Sequence, residues 1–280
     1  MTYSWPDEQR CAAVLSFDVD GESGILAINP KMAKRLSAIA WARYGPKTGV
    51  PRILKMLKKQ SVRASFFIPG YTAELYPDLI KRISDEGHEI GVHGYLHEKV
   101  SDLDLVQEEV ALVKTCDILE KITGTRPIGY RAPLWDVNQH TPEILVKNGI
   151  IYDSSLMDDD VPYTLETPEG KLVEIPVHGT NDDWEQFAFH MDPEIGSGVI
   201  ETCAKALQLW KEEVEGMHHY HGAFILTMHP EIIGRPARVL MLEKLIDYMR
   251  SLEGVWLTTC GEIARYHQQQ NIVKTVLEMS

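Results

Sequence analysis

Ala12-Ala13-Val14-Leu15-Ser16-Phe17, six mostly apolar residues, run straight into Asp18-Val19-Asp20-Gly21-Glu22. The first six read as a buried strand. The three carboxylates at its end are costly to desolvate unless a cation or a hydrogen-bond network receives them. Strand-like runs of the same kind recur with helical patterns between them. Val62 to Ile68 is a β run closed by Pro69-Gly70, preceded by helical spacing from Gly49 to Lys59. Leu75 to Glu86 and Leu103 to Ile122 read as amphipathic helices, the second stopping at Thr123-Gly124. Ile128 to Arg131 is a short strand, Glu143 to Asn148 is helical, and Ile150 to Asp153 is extended. Lys171 to Val177 alternates as a strand, Val199 to Glu215 is helical, and Ala223 to Met228 is an apolar strand. A helix over Val239 to Leu252, a strand at Val255-Trp256-Leu257 and a helix from Cys260 to Gln270 complete the chain.

No repeat and no Pro/Gly/Ser-rich linker divides residues 1–280, so the sequence reads as a single α/β domain. Seven or so strands alternating with helices imply a mainly parallel sheet, closed as a barrel. Gly21 to Thr48 and Ser154 to Glu169 lack clean periodicity, and long loops of that kind are often site walls or lids. The first of them carries Ile25, Leu26, Ile28, Leu36, Ile39 and Trp41, too apolar for plain surface turns. An exposed patch of that kind marks an interface, so a homo-oligomer is expected, a tetramer ahead of a dimer.

Composition narrows the function. With 280 residues, 44% of them hydrophobic and 25% charged, the chain has the make-up of an ordinary folded domain. A formal net charge of −13 argues against nucleic acid and against an anionic membrane surface as partners. Met1 to Glu8 shows neither a basic n-region nor an apolar h-region, and no run approaches the ~18 residues of a membrane span. The expected location is cytoplasmic. Cys11, Cys116, Cys203 and Cys260 are scattered without a CxxC pair, as structural thiols are.

The chemistry-bearing residues gather at the C-terminal ends of the strand-like runs, where parallel α/β folds assemble their sites. Asp18 and Asp20 follow the first and Arg131 the fourth, while His229 follows Ala223 to Met228. His93-Gly94-Tyr95-Leu96-His97 follows His88 to Val92. If that stretch winds into a helical turn, its two imidazoles share a face and can close on one metal ion. Taken alone, two histidines at this spacing read equally well as polar surface. One aspartate with both histidines makes an open three-ligand set, and a metal held there acts as a Lewis acid on water. The other aspartate is then free as general base, and His229 as general acid.

Four motifs in order carry a family resemblance: Ser16-Phe17-Asp18-Val19-Asp20-Gly21, His93-Gly94-Tyr95-Leu96-His97, Tyr130-Arg131-Ala132-Pro133-Leu134-Trp135 and Thr227-Met228-His229-Pro230. Between about residues 12 and 265 the chain resembles the polysaccharide deacetylase family, the NodB-homology domain. The resemblance implies a distorted (β/α)7 barrel of NodB-homology type and a divalent metal. Zinc is the usual ion; cobalt, nickel or manganese also suit such a set. It implies Asp18 as catalytic base, Asp20, His93 and His97 as metal ligands, Arg131 orienting the base, and His229 as the acid. Val19 separates two aspartates that are adjacent in the family's usual first motif. This split form, with Glu22 and the Gly49-Val50-Pro51-Arg52 helix start, resembles an intracellular branch of peptidoglycan-deacetylase-like proteins, cyclic-imide hydrolases and allantoinase-like proteins.

The implied activity is hydrolysis of a non-peptide carbon–nitrogen bond, either in an N-acetylated amino sugar or in a small cyclic imide or amide. An allantoinase-like ureide hydrolase is the alternative within the branch, though His97 argues against it. A non-catalytic carbohydrate-binding barrel would need a missing ligand, base or acid, and none is missing. Glu22, Pro133 and Trp135 are candidates for the substrate wall, with loop surface and core filling as the competing readings. His218, His219 and His221 read as surface, Asp158-Asp159-Asp160 as a solvated turn, and Tyr44 and Trp184 stay open.

Overall fold

The structure, a computed structural model, describes residues 3–189 and 200–270. Strand β1 (Cys11–Asp18) is buried along its whole length, as a central strand in a parallel sheet must be. It leads through helices α1 (Glu22–Ile28), α2 (Leu36–Tyr44) and α3 (Val50–Gln60) to β2 (Ser65–Ile68). Helices α4 (Gly70–Leu75) and α5 (Pro77–Asp85) precede β3 (Glu89–Val92), and α6 (Leu105–Thr123) precedes β4 (Gly129–Tyr130). Then come α7 (Thr141–Lys147), β5 (Tyr152–Asp153), the hairpin β6 (Tyr163–Thr167) and β7 (Gly170–Glu174), and the short α8 (Asp183–Phe187). Helix α9 (Cys203–Tyr220), β8 (Ala223–Met228), α10 (Pro230–Ile233), α11 (Pro236–Ser251), β9 (Val255–Thr258) and α12 (Cys260–Gln269) close the order.

The nine strands form one sheet in the order β6-β7-β5-β4-β3-β2-β1-β8, with β9 paired to β1. All pairings are parallel except β6 with β7. Beyond β7 the chain returns to β8 through one parallel bridge, Asp182 with Thr227. The expected distorted barrel therefore has a seam held by an isolated bridge between the segment after β7 and β8. Alternation of side chains divides the core in two. Val14, Phe67, Tyr152, Val173 and Ile225 fill the inside of the sheet, while Leu15, Phe66, Leu226 and Met228 meet the helices outside.

Several sequence expectations shift. The stretch from Gly21 to Thr48 is helical rather than loop. Pro30 interrupts it, and Ile25, Met32, Ala38 and Ala42 bury themselves in a small core of their own, so no long periodic run forms. Of the residues expected at an interface, Leu36 and Ile28 are exposed, whereas Leu26, Ile39 and Trp41 pack on that small core. The second supposed loop contains β6, five residues whose alternation is too brief to stand out. The helix expected over Leu75 to Glu86 is α5, Pro77–Asp85; it starts two residues late because Leu75 still ends α4, Tyr76 leaves helical geometry and Pro77 begins the new helix. Helix α6 matches its expected end: Asp104 and Gln107 make a reciprocal capping box, and Gly124 takes φ +79° just past Thr123. Val199, the expected start of the helix that the structure gives as Cys203–Tyr220, lies outside the described residues.

Gly49 and Gly234 let two turns meet at van der Waals range below α10. A Cβ at Gly49 would lie 2.2 Å from the Pro230 carbonyl oxygen. Gly49→Ala is expected to cost roughly 1–3 kcal/mol of stability through overpacking. Gly216→Ala, in α9 where a Cβ meets nothing within 4 Å, should instead gain up to about 1 kcal/mol. Denaturant midpoints of the two variants check both signs.

Candidate metal and acid–base site

β1 delivers Asp18 at its last residue, and Asp20 follows two positions on; both are almost fully buried. Asp20 is fixed from behind, its carbonyl oxygen accepting from Thr72 Oγ1 at 2.5 Å and Ser23 Oγ at 2.7 Å. His93 follows β3. The segment His93–His97 is not the helical turn expected from the sequence: Gly94 and His97 have φ +65° and +59°. Glu98 explains why. Its carboxylate takes the N–H groups of Tyr95 (2.9 Å) and Leu96 (2.8 Å), donors that a helix would need elsewhere. The two imidazoles still converge, through a glycine-enabled loop rather than through helical spacing.

His93 Nδ1 lies 2.8 Å from the Arg131 carbonyl oxygen, so it carries the ring proton and leaves Nε2 bare toward the aspartates. His93 Nε2 is 3.5 Å from Asp20 Oδ1, and His97 Nε2 is 3.5 Å from Asp20 Oδ2. Two donor atoms each about 2.1 Å from one tetrahedral ion lie ~3.4 Å apart, so this spacing suits a shared ion better than hydrogen bonds. Asp20 Oδ1 is buried with no hydrogen-bond partner among the described residues. Burial depresses the His97 pKa and favours the neutral ring a metal needs. The donor set therefore fits a divalent metal.

Asp18 faces the same space. Arg131, fully buried, donates from one guanidinium nitrogen to Asp18 Oδ1 (2.9 Å) and Ser16 Oγ (2.8 Å). Its Nε reaches the Ser154 carbonyl oxygen at 3.1 Å, its other nitrogen Ser154 Oγ at 3.1 Å, and its plane lies 4.2 Å over the Phe67 ring. Burial would raise the Asp18 pKa, but Arg131, then His93 and His229, outweigh it and hold Asp18 below its ordinary value.

A second cluster groups Asp182, Asp183 and His229. Here hydrogen bonds already satisfy the ligand atoms: His229 Nδ1 lies 2.7 Å from Asp183 Oδ1, and the His229 N–H reaches both Asp183 oxygens at 3.0 and 3.1 Å. This is an oriented imidazole rather than a second metal centre. Burial alone would lower the His229 pKa, yet Asp182 and Asp183 raise it well above the usual value. Trp184 meets the His229 ring edge to face at 5.2 Å, and Trp41 meets Trp184 in turn at 6.2 Å. The sequence reading missed Asp182 and Asp183. The available signal was two adjacent carboxylates in Asn181-Asp182-Asp183-Trp184, just after a strand.

The remaining candidates divide. The buried Glu22 carboxylate is taken up by Arg43 (2.8 Å) and Tyr76 (2.8 and 2.9 Å), tying α1 to α2 and α4. Pro133 is buried against Gly94, and Leu134 and Trp135 follow it at φ +59° and +54°. Trp135 packs on the inner core. Tyr44 bonds to Arg52 and lies under Arg235. Asp159 Oδ1 closes the acidic turn onto the N–H groups of Asp160 (2.7 Å) and Val161 (3.3 Å). His218, His219 and His221 end α9 before β8 begins, at the opposite end of that strand from His229. All four cysteines are free thiols.

A mainly parallel α/β fold with a carboxylate–imidazole donor set, an arginine-bound carboxylate and a carboxylate-bound imidazole at its strand ends defines a class of hydrolytic site. Comparison makes the family specific. Residues 43–152 match the model of the polysaccharide deacetylase family. The Helicobacter pylori peptidoglycan deacetylase is 33% identical, with 79% of this chain and 84% of that one covered. A peptidoglycan deacetylase-like protein of Gibberella zeae is 35% identical over 88% and 82%. A Mycobacterium smegmatis structure assigned to the polysaccharide deacetylases superimposes with TM-score 0.95 at 42% identity, covering 100% and 98%. An allantoinase structure does so with TM-score 0.83 at 26% identity, covering 98% and 95%. The chain belongs to the polysaccharide deacetylase family. It is a hydrolase of carbon–nitrogen bonds other than peptide bonds, in a family that uses a divalent metal. Among the described residues no helix is long and apolar enough to cross a membrane.

Asp20 Oδ1 is buried without a hydrogen-bond partner among the described residues, and an ion that binds there stabilises the native state by mass action. Zinc titrated into chelator-stripped protein is expected to raise the melting temperature, and Asp20→Ala to abolish the rise. Differential scanning calorimetry checks this.

Proposed function

We propose that this chain removes an acyl group from nitrogen with Asp20, His93 and His97 as ligands of one divalent metal, zinc foremost, and with Asp18 and His229 as base and acid. The observation that carries the reading is the opposed electrostatics of the two acid–base groups: Arg131 keeps Asp18 ionised while Asp182 and Asp183 keep His229 protonated. The ion, when bound, supplies Lewis-acid polarisation of water and of the acyl oxygen.

The chain's own groups do the rest. Arg131 occupies Asp18 Oδ1, so Oδ2, 3.8 Å from His93 Nε2, is the oxygen left to take a proton from the attacking water. Asp183 holds His229 Nδ1, which presents Nε2–H to the departing nitrogen. Burial of both carboxylates and both metal-ligand histidines limits competing solvent and strengthens these charge interactions. Pro133 and Trp135, beside the ligand loop and the inner core, are proposed to shape the substrate wall, with Glu22 supporting it from α1.

The substrate class proposed first is an N-acetylated amino sugar, supported by the two curated relatives named for peptidoglycan. A small cyclic imide or amide is the second reading. What favours it is the edge-to-face series Trp41–Trp184–His229, which links α2 through Trp184 to the imidazole and sets bulky apolar rings beside it. A screen of N-acetylglucosamine oligomers against succinimide, hydantoin and dihydrouracil separates the two. Homo-oligomerisation is proposed through the exposed Leu36 and Ile28, and a monomer by light scattering would refute it.

Asp18→Asn should keep its metal and lose about 10²–10⁴ in rate, and His229→Ala should fall in the same range. Elemental analysis with steady-state kinetics checks both, and His93→Ala or His97→Ala with undiminished metal would remove those ligands from the proposal. Activity needs Asp18 ionised and His229 protonated, so the profile should fall in acid below the depressed Asp18 pKa and in alkali above the raised His229 pKa. Asp183→Asn removes a carboxylate that raises His229 and should move the alkaline limb to lower pH.

A further inference from the structure

We propose that Asp153 and Glu174 are a buried carboxyl pair joined by one shared proton, and that this pair is the positioning device that holds Arg131 against Asp18. The proposal rests on the reading that Asp18 is the base. Its ground is the strand register. Tyr152 faces Val173 and Asp153 faces Glu174 across the parallel β5–β7 pair. Tyr152 and Val173 fill the inside of the sheet, so the two carboxyls point the other way, toward the outer layer, and both are buried.

Both carboxyls grip one short turn. Asp153 Oδ1 accepts from the Ser154 N–H (2.8 Å) and Ser155 Oγ (2.6 Å). Glu174 Oε1 accepts from the N–H groups of Ser155 (3.0 Å) and Leu156 (2.9 Å). The same turn holds the arginine segment. Ser154 receives Arg131 at its carbonyl oxygen and at Oγ, both 3.1 Å away, and Ser155 Oγ receives the Ala132 N–H at 2.9 Å. A continuous chain of contacts therefore runs from Glu174 to Asp18.

Glu174 Oε2 finds no donor group among the described residues, which leaves a proton shared with Asp153 as its means of satisfaction. Burial is the main cause that raises Asp153, to about 6, and that pushes Glu174 well above its ordinary value, with Asp153 adding to the latter. Among the described residues the surroundings leave the pair without a cation of its own. From β4 comes Tyr130 and from β6 Tyr163, both kept neutral by burial, and Tyr163 donates to Asp158. Glu108 of α6 accepts from Thr141 and Asn138. On α7, Lys147 is bound to Glu109 at the surface, and Glu143 lies in that helix's first turn. His267 of α12 bonds to Tyr3 and Thr164. Arg131, a cation that acts on Asp153, is already committed to Asp18.

The test compares metal-loaded wild type, Glu174→Gln and Glu174→Ala. A glutamine accepts from Ser155 and Leu156 and donates to Asp153, so it reproduces the protonated glutamate without a proton to lose. A carboxyl raised in the folded state stabilises fully below its unfolded pKa of ~4.3, and that stabilisation is lost as pH rises through the folded value. The melting temperature of Glu174→Gln should therefore gain on wild type with rising pH. In kinetics, Glu174→Ala should lose about tenfold in kcat with KM and metal content held, and Glu174→Gln should restore it. A Glu174→Gln protein that follows the wild-type pH dependence of melting, or whose kcat falls as far as that of Glu174→Ala, overturns the proposal. The melting comparison needs no substrate and stands even if Glu174→Ala does not fold. Active Asp18→Asn alongside the expected melting result would instead refute the base assignment alone.

Discussion

A guanidinium with no exposed surface sits inside the sheet, and much of the site is arranged around satisfying it. Burying such a charge is unfavourable by several kcal/mol unless every donor is met. Arg131 meets Asp18, Ser16 and Ser154 and covers the Phe67 ring, contributions from β1, β2 and the turn after β5. Its backbone carbonyl also fixes the His93 ring. One residue thereby joins Asp18, the His93 ring and the turn after β5, which makes the arrangement depend on the register of five strands, β1 to β5.

Two buried charge systems of opposite sense meet at the strand ends. Around Asp18 a cation dominates and a carboxylate stays ionised; around His229 carboxylates dominate and an imidazole stays protonated. Neither state would hold at neutral pH for the isolated side chains in so dry a setting, since burial works against both. Neighbours reached across the sheet decide the outcome. The donor set between them is the part left open, with an unpartnered carboxylate oxygen and two imidazole nitrogens aimed at it.

The sequence showed much of this because strand ends and polar residues coincide. Each run from Ala12, His88, Ile128 and Ala223 carried its chemistry at its last residues, so listing the ends came close to listing the site. What escaped has physical reasons. His93–His97 converge through a loop that Glu98 organises, and a side chain capping backbone N–H groups two and three residues upstream leaves no periodic trace. Asp183 lies forty-six positions from the histidine it holds. The helices α1 and α2 bury apolar residues against one another rather than against the main core, so their pattern read as noise.

The seam of the barrel has a consequence for the geometry of the reaction. Asp18 ends β1, which is laddered to β2, β8 and β9, but Asp183 follows directly on the isolated bridge from Asp182 to Thr227. His229 itself follows β8, which pairs with β1 over six positions, so the loosely joined part is the carboxylate that orients the imidazole and not the imidazole's own strand. Substitutions in the segment after β7 would therefore act on the tilt of the His229 ring through Asp183, and leave its strand and the Asp20, His93 and His97 group where they are.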